Sequence, residues 1–142
     1  MSAPLYNAEI LRLAASIPHH ERLENADATV EKRSAICGSR VTVDVALDQA
    51  GRVGEVGMLV RACALGQASS SLLAANVVGR TPEEVAAARD ALTDWLAGNG
   101  ETPDWPGIDI FTPALDYTAR HPSIRLAFEA AAEAAATAQA AR

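Results

Sequence analysis

Between residues 40 and 60 the chain alternates twice. Val41, Val43, Val45 and Leu47 take every second place, with Arg40, Thr42, Asp44 and Ala46 between them, and after the turn Asp48-Gln49-Ala50-Gly51 the pattern resumes in Val56, Met58 and Val60. Successive side chains of a strand point to opposite faces, so a period of two demands strands with one buried side. A short Asp- and Gly-containing turn joins them as an antiparallel hairpin, and "TVEKRSAI" just upstream offers a third strand. Two strands alone are marginal in water, so the apolar face of this sheet needs a cover supplied by the rest of the chain.

The flanks supply it. Ile10, Leu13, Ala14 and Ile17 recur at helical spacing and end at Pro18, which marks a first amphipathic helix. The polar turn "PHHERLENAD" follows, and its paired His19 and His20 read as solvated loop residues. Beyond Val60 the period becomes helical: Leu65, Ala68, Leu72 and Ala75 share a face, and Gly79 supplies a stop. Thr81, Pro82 and Glu84 then open another helix with a capping box, its inward residues being Val85, Leu92, Trp95 and Leu96. The stretch "ETPDWPGIDIFTPALDYTAR" reads as an ordered loop. An alanine-rich helix from near Pro122 carries Ile124, Phe128, Ala131 and Ala135 inward, with "ATAQAAR" expected to fray. One helix, three strands and three helices predict an α+β fold in a single domain over residues 1–142, with helices packed on one face of a small three-stranded antiparallel sheet. Aromatic residues make up only 4 % of the chain, so aliphatic and alanine packing must fill the core.

Charge and hydropathy exclude several roles. A formal net charge of −6 with scattered arginines argues against a nucleic-acid partner. No apolar run approaches the roughly 18–20 residues of a membrane span. The N-terminal "MSAPLYNAEILRLAAS" lacks the order of a secretory leader, so the expectation is a cytoplasmic protein. Enzyme chemistry finds no support. The glycines of "GRVGEVG" lie in a hairpin strand without the helix that a phosphate loop needs, and Glu83 with Glu84 form a solvated first turn.

The two cysteines stand apart from this. Cys37 falls between the first two strands and Cys63 at the end of the third, positions that can fall at one edge of the sheet in a three-stranded meander. Cys63 also sits at a helix N-terminus, whose free N–H groups and dipole favour thiolate over thiol. Two sulfurs so placed could bind a soft metal or an iron–sulfur cluster, accept sulfur as a persulfide, pair as a disulfide, or simply fill two small core positions.

The stretches "ICGSRVTVDVALDQAGRV" and "RACALGQASSSLLAANVVGRTPEEV" resemble the U-type iron–sulfur cluster assembly scaffolds, the family of IscU, SufU and the N-terminal part of NifU. In that family a Cys-Gly-Asp precedes the second strand, a second cysteine follows the third, and an Ala-Ser-Ser-Ser-like run continues into the helix. The likeness runs on through "LDYTARHPSIRLAFEAA", covering nearly all of the chain after about residue 28. It implies a SufE/NifU-like fold, sulfur received from a cysteine desulfurase, and a cluster built on three cysteines and an aspartate and passed to recipient apoproteins. Cys37 and Cys63 match the first two family cysteines.

The remaining positions depart from the pattern. Ser39 stands where the family has its aspartate. Counting back from Leu126–Ala127 puts Ser123 at the third cysteine, while matching His121 to the histidine that precedes that cysteine puts Pro122 there. "FTPALDYTAR" replaces the chaperone-recognition stretch of IscU-type members, as in the SufU-like branch. A serine hydroxyl is a weak substitute for thiolate or carboxylate, so the expected metal ligands are Cys37 and Cys63, with His121, Ser39 and Ser123 as the further candidates. The implied cargo is an iron–sulfur cluster or iron, with zinc as another metal, or none if the site has degenerated. A homodimer would supply four thiolates. The alternative is a module that docks to a desulfurase and relays sulfur through Cys63 without building a cluster. A redox switch through a Cys37–Cys63 disulfide is the third reading, and it needs Cα atoms within about 7 Å.

Overall fold

The computed structural model describes residues 5–35 and 38–142. Among the described residues four α-helices and three strands follow in the order α1 (Ala8–Ala14), β1 (Ala28–Arg33), β2 (Arg40–Leu47), β3 (Val53–Arg61), α2 (Ala64–Asn76), α3 (Pro82–Leu96) and α4 (His121–Ala140). The strands form one antiparallel sheet in the order β1-β2-β3. This is the α+β architecture expected from the alternation. Among the described residues, no helix is long and apolar enough to cross a membrane.

The inner face of the sheet carries Val41, Val43 and Val45 of β2 and Val56, Met58 and Val60 of β3, all buried. Helix α4 lies across β1 and β2 and also packs on α2 and α3. Its buried alanines, among them Ala127, Ala131 and Ala134, let the backbone approach its neighbours closely, while buried Ile124 and Phe128 add bulk to the core. Fully burying each such large side chain contributes about 1.5–3 kcal/mol. Alanine has the highest helix propensity, so close packing and helix formation here favour the same residue. The helix continues to Ala140, through the turns that composition marks as loose. Ala134, Ala135 and Ala138 are buried, and the Arg142 guanidinium donates to the Leu47 carbonyl at 2.9 Å, so the sheet holds the end of the helix that composition marks as loose.

Other elements differ from the sequence reading in ways that packing explains. Helix α2 is buried over most of its circumference, with Gly66 and Ser69–Ala74 enclosed and Ala75 facing solvent, because α1 covers one side and α4 another. The aromatic-rich loop coils into two 3-10 turns, Ile108–Ala114 and Thr118–Arg120, which bury Ile108 and Phe111. Trp105 donates its indole N–H to the Leu72 carbonyl at 2.9 Å and meets Phe128 edge-on. The α3 capping box forms as expected, and Val85, Leu92, Trp95 and Leu96 are its inward residues.

The outer face of the sheet departs most from simple alternation, since Thr42 and Asp44 are buried as well. Residues 19–23, whose His19 and His20 stay exposed as the turn reading expects, cover Asp44. The carbonyls of His19 and Glu21 both accept from Met58 N–H at 3.0 Å, and His20 Nε2 accepts from Val60 N–H at 3.2 Å, so the two histidines line the free edge of β3. Gly57 permits the crossing: a Cβ there would stand 2.5 Å from the Glu21 carbonyl oxygen and 2.9 Å from Leu23 N. The segment is then held by Asp44, whose carboxylate accepts from the Arg22 guanidinium at 2.7 and 3.1 Å, from Leu23 N–H at 3.0 Å and from the Thr29 hydroxyl.

Burial alone would push the Asp44 carboxyl up, but the hydrogen bonds from Arg22, Thr29 and Leu23 and the guanidinium charge outweigh it and hold the group below the usual carboxylate range. A carboxyl lowered on folding contributes stability that is complete above its unfolded value of about 3.9 and is lost as pH falls through the folded value. Asp44→Ala removes the acceptor shared by Leu23 N–H, the Thr29 hydroxyl and the Arg22 guanidinium and is expected to cost about 2 kcal/mol in urea denaturation at pH 7. The same variant flattens the loss of stability below pH 4; an unchanged acid limb would show that other carboxyls set it.

Candidate functional site

Strand β2 begins and β3 ends at the same edge of the sheet, because Arg40 pairs with Arg61 at the last rung of the ladder. The described residues on either side of Cys37 are joined there by hydrogen bonds. Ser34 N–H donates to the Ser39 carbonyl at 2.8 Å and Gly38 N–H to the Ser34 carbonyl at 3.0 Å, with Gly38 at φ +72°. Cys37 lies outside the described residues, but its neighbours Gly38 and Ser39 and, two residues beyond Arg61, Cys63 occupy this one end of the sheet. Ser39 is buried.

Cys63 is the N-cap of α2, half-buried, with extended backbone and no side-chain capping bond. Its carbonyl accepts the first intrahelical bond, from Gln67 N–H at 2.9 Å. The first turn of α2 presses on the first turn of α4. A Cβ at Gly66 would stand 3.3 Å from the Ser123 carbonyl oxygen and 2.7 Å from the Ala62 Cβ, and the Ser69 hydroxyl donates to the Ile124 carbonyl at 2.6 Å. Ser123, buried in α4, is thereby held against the helix that Cys63 opens.

These two helix starts differ from the others in the molecule. Helix α1 is capped by Asn7 and has Glu9 in its first turn, and α3 has a full capping box with Glu83 and Glu84. Neither α2 nor α4 has a side-chain cap or an acidic residue in its first turn. The start of α2 at Cys63 therefore carries no built-in counter-charge, an arrangement that favours an anion placed there, whereas α4 continues from the 3-10 turn Thr118–Arg120, with His121 N–H on the Thr118 carbonyl.

His121 opens α4 and is buried. Its Nε2 lies 2.9 Å from the Ala114 carbonyl oxygen. A carbonyl only accepts, so Nε2 carries the hydrogen and the lone pair of the neutral ring falls on Nδ1. Histidines that bind metals commonly hold their other ring N–H on a carbonyl in this way. Among the described residues no group of three or more His, Cys, Asp or Glu side chains gathers as a metal site. Ser123 thus lies against the helix that Cys63 opens, Ser39 stands beside Arg40 at the end of the sheet where β3 leads to Cys63, and His121, two residues before Ser123 in α4, holds its ring on Ala114.

Gly66, the bare helix ends and the ring bond of His121 were not read from the sequence. The Gly at the third helical position, which costs helix stability unless something needs the space, was the available signal for the first.

The sequence profile described as "NifU-like N terminal domain" matches residues 5–104. The crystal structure of a nitrogen-fixing NifU-like protein (N-terminal) from Brucella abortus is similar over 97 % of this chain and 96 % of that one, with 39 % identity and a TM-score of 0.91. The SUF-system protein FiSufU from Fervidobacterium islandicum AW-1 shares the fold at a TM-score of 0.84 and 22 % identity, over 92 % of this chain and 96 % of that one. The iron-sulfur cluster assembly scaffold protein IscU of Streptococcus pyogenes serotype M1 is 26 % identical over 94 residues, 66 % of this chain. That match spans 58 % of the relative's length.

Gly66→Ala gains helix propensity but forces its methyl into Ala62 and Ser123. A net loss of about 1–2 kcal/mol is expected in thermal or urea unfolding. A stabilised variant would show that α2 and α4 are not in close register here.

Proposed function

The chain belongs to the family of NifU-like N terminal domains, and from that premise we propose that it works in iron–sulfur cluster assembly as a scaffold, holding an iron–sulfur cluster or iron as cargo. Cys37 and Cys63 are the thiolate ligands of this reading. The observation that carries it is the half-buried Cys63 at the uncapped start of α2, against the equally uncapped start of α4, at the end of the sheet where the β1–β2 loop turns. A thiolate-bound cluster is anionic, and the uncapped start of α2 is suited to it.

Iron and zinc both accept thiolate and imidazole, so a Cys37, Cys63 and His121 Nδ1 set leaves an open position for the delivery or release of cargo. Serine oxygens at 39 and 123 ligate such metals poorly and serve better as hydrogen-bond partners to sulfur. A second copy of the chain would complete four thiolates. A cysteine desulfurase is the sulfur donor and apoproteins are the recipients in this proposal. The poverty of strong ligands favours the relay reading as the second one: the Cys63 thiolate attacks the outer sulfur of a donor persulfide, the donor sulfur leaves as thiolate, and Cys63 carries the sulfur with no net oxidation.

The test is iron, zinc and acid-labile sulfide content after anaerobic incubation with iron, cysteine and a desulfurase, for the unaltered chain, Cys37→Ala and Cys63→Ala. The scaffold reading expects iron and sulfide together, lost in both variants. A persulfide on Cys63 by mass spectrometry, without iron or sulfide, supports the relay. Neither metal, sulfide nor persulfide contradicts both.

A further inference from the structure

Three arginines form one row across the sheet. Arg33 of β1 pairs with Arg40 of β2, and Arg40 pairs with Arg61 of β3. Directly paired residues of antiparallel strands share a face, and strands lie about 4.8 Å apart, so three guanidinium stems are rooted within about 10 Å. The face is the outer one. Lys32, the neighbour of Arg33, reaches the helix side and pairs with Glu133 of α4 at 3.0 Å, which directs Arg33 to the opposite side.

Like charges placed directly opposite destabilise a sheet, and this row repeats the unfavourable pairing on both ladders. Glu31 offsets part of it, with Arg33 at 3.3 Å and Arg40 at 3.6 Å. One carboxylate thus faces three cations, and among the described residues Arg61, which is exposed, makes no ion pair. In a chain of net charge −6 this is a local inversion of sign. The next row holds Thr42 and Leu59, the latter an exposed apolar side chain.

We propose that this row is a docking surface for an acidic segment of a partner protein, with its carboxylates on Arg33, Arg40 and Arg61 and an apolar side chain over Leu59. Guanidinium groups pair with carboxylates through two parallel hydrogen bonds, so Arg61 has a full set of donors to offer. Charge complementarity selects an acidic peptide over a nucleic acid. The patch is only three residues wide, and Glu21, Glu24 and Glu55 cluster towards the other end of the β3 side, where a longer phosphate backbone would meet repulsion. Leu59 adds an apolar contact that a phosphate chain does not use. The inference goes beyond the cargo reading and stands without any metal at Cys63.

The experiment is a backbone-amide NMR titration of the full chain, without added metal, using a synthetic peptide of about ten residues that alternates glutamate with leucine. Shifts confined to the rows of Arg33, Arg40 and Arg61 and of Glu31, Thr42 and Leu59 are expected, together with an affinity at least about tenfold weaker in the Arg33→Gln/Arg40→Gln/Arg61→Gln variant. The single Arg61→Gln variant, at an exposed position, gives the same direction should the triple variant fold poorly. Shifts scattered elsewhere, unchanged affinity in Arg61→Gln, equal binding of the glutamine version of the peptide, or tighter occupancy of the row by a single-stranded oligonucleotide would each overturn the proposal.

Discussion

The meeting of two helix starts governs the site. Gly66 has no side chain because the Ser123 backbone and Ala62 occupy its space, and the Ser69 hydroxyl ties α2 to the Ile124 carbonyl one residue further along α4. From this contact follow the position of Cys63 at the uncapped start of α2 and the burial of Ser123. Side-chain caps on these helices would help folding by about 1 kcal/mol each. Their absence here, beside capped α1 and α3, is a local departure from foldability of the kind found at working sites.

The sheet beneath has two differently built faces. The inner one is aliphatic and takes α4 through close alanine packing. The outer one is polar yet partly buried, because residues 19–23 fold over it and Asp44 gathers Arg22, Leu23 N–H and Thr29 around one carboxylate. A buried charge with a complete set of partners fixes the position of the crossing segment more than it adds net stability. The crossing segment clamps onto the middle of β2 and the free edge of β3, and leaves the end row of arginines open beside the cysteine edge.

Period and capping carried much of this into view from the residues alone. The double alternation gave the hairpin and its inner face, Thr81-Pro82-Glu83-Glu84 gave the start of α3, and Val85, Leu92, Trp95 and Leu96 its packing side. Asp44 escaped because a charged residue in an alternating strand looks like any solvent-facing position; its partner Arg22 is remote in sequence and meets it only once the chain folds back. The terminal alanines escaped for the opposite reason, since their lack of character reads as fraying until a sheet lies beneath them. The arginine row depends on register, which pattern alone does not supply. For the site, the order of the two cysteines about the hairpin was readable, and so was Cys63 at a helix mouth. The hydrogen bond that leaves the His121 lone pair on Nδ1 was not, because Ala114 approaches it only through the coiling of the intervening 3-10 turns.

On the proposed reading, the chain must give up what it holds. The most direct measurement is therefore transfer: the cluster-loaded chain is mixed anaerobically with an apo two-iron ferredoxin, and the circular-dichroism signal of the acceptor's cluster is followed in time in the presence of a metal chelator. The account predicts that the ferredoxin signal grows as that of the chain declines and that the chelator does not intercept it. A chain that takes up no cluster, or one that keeps it while the acceptor stays empty, would contradict the account.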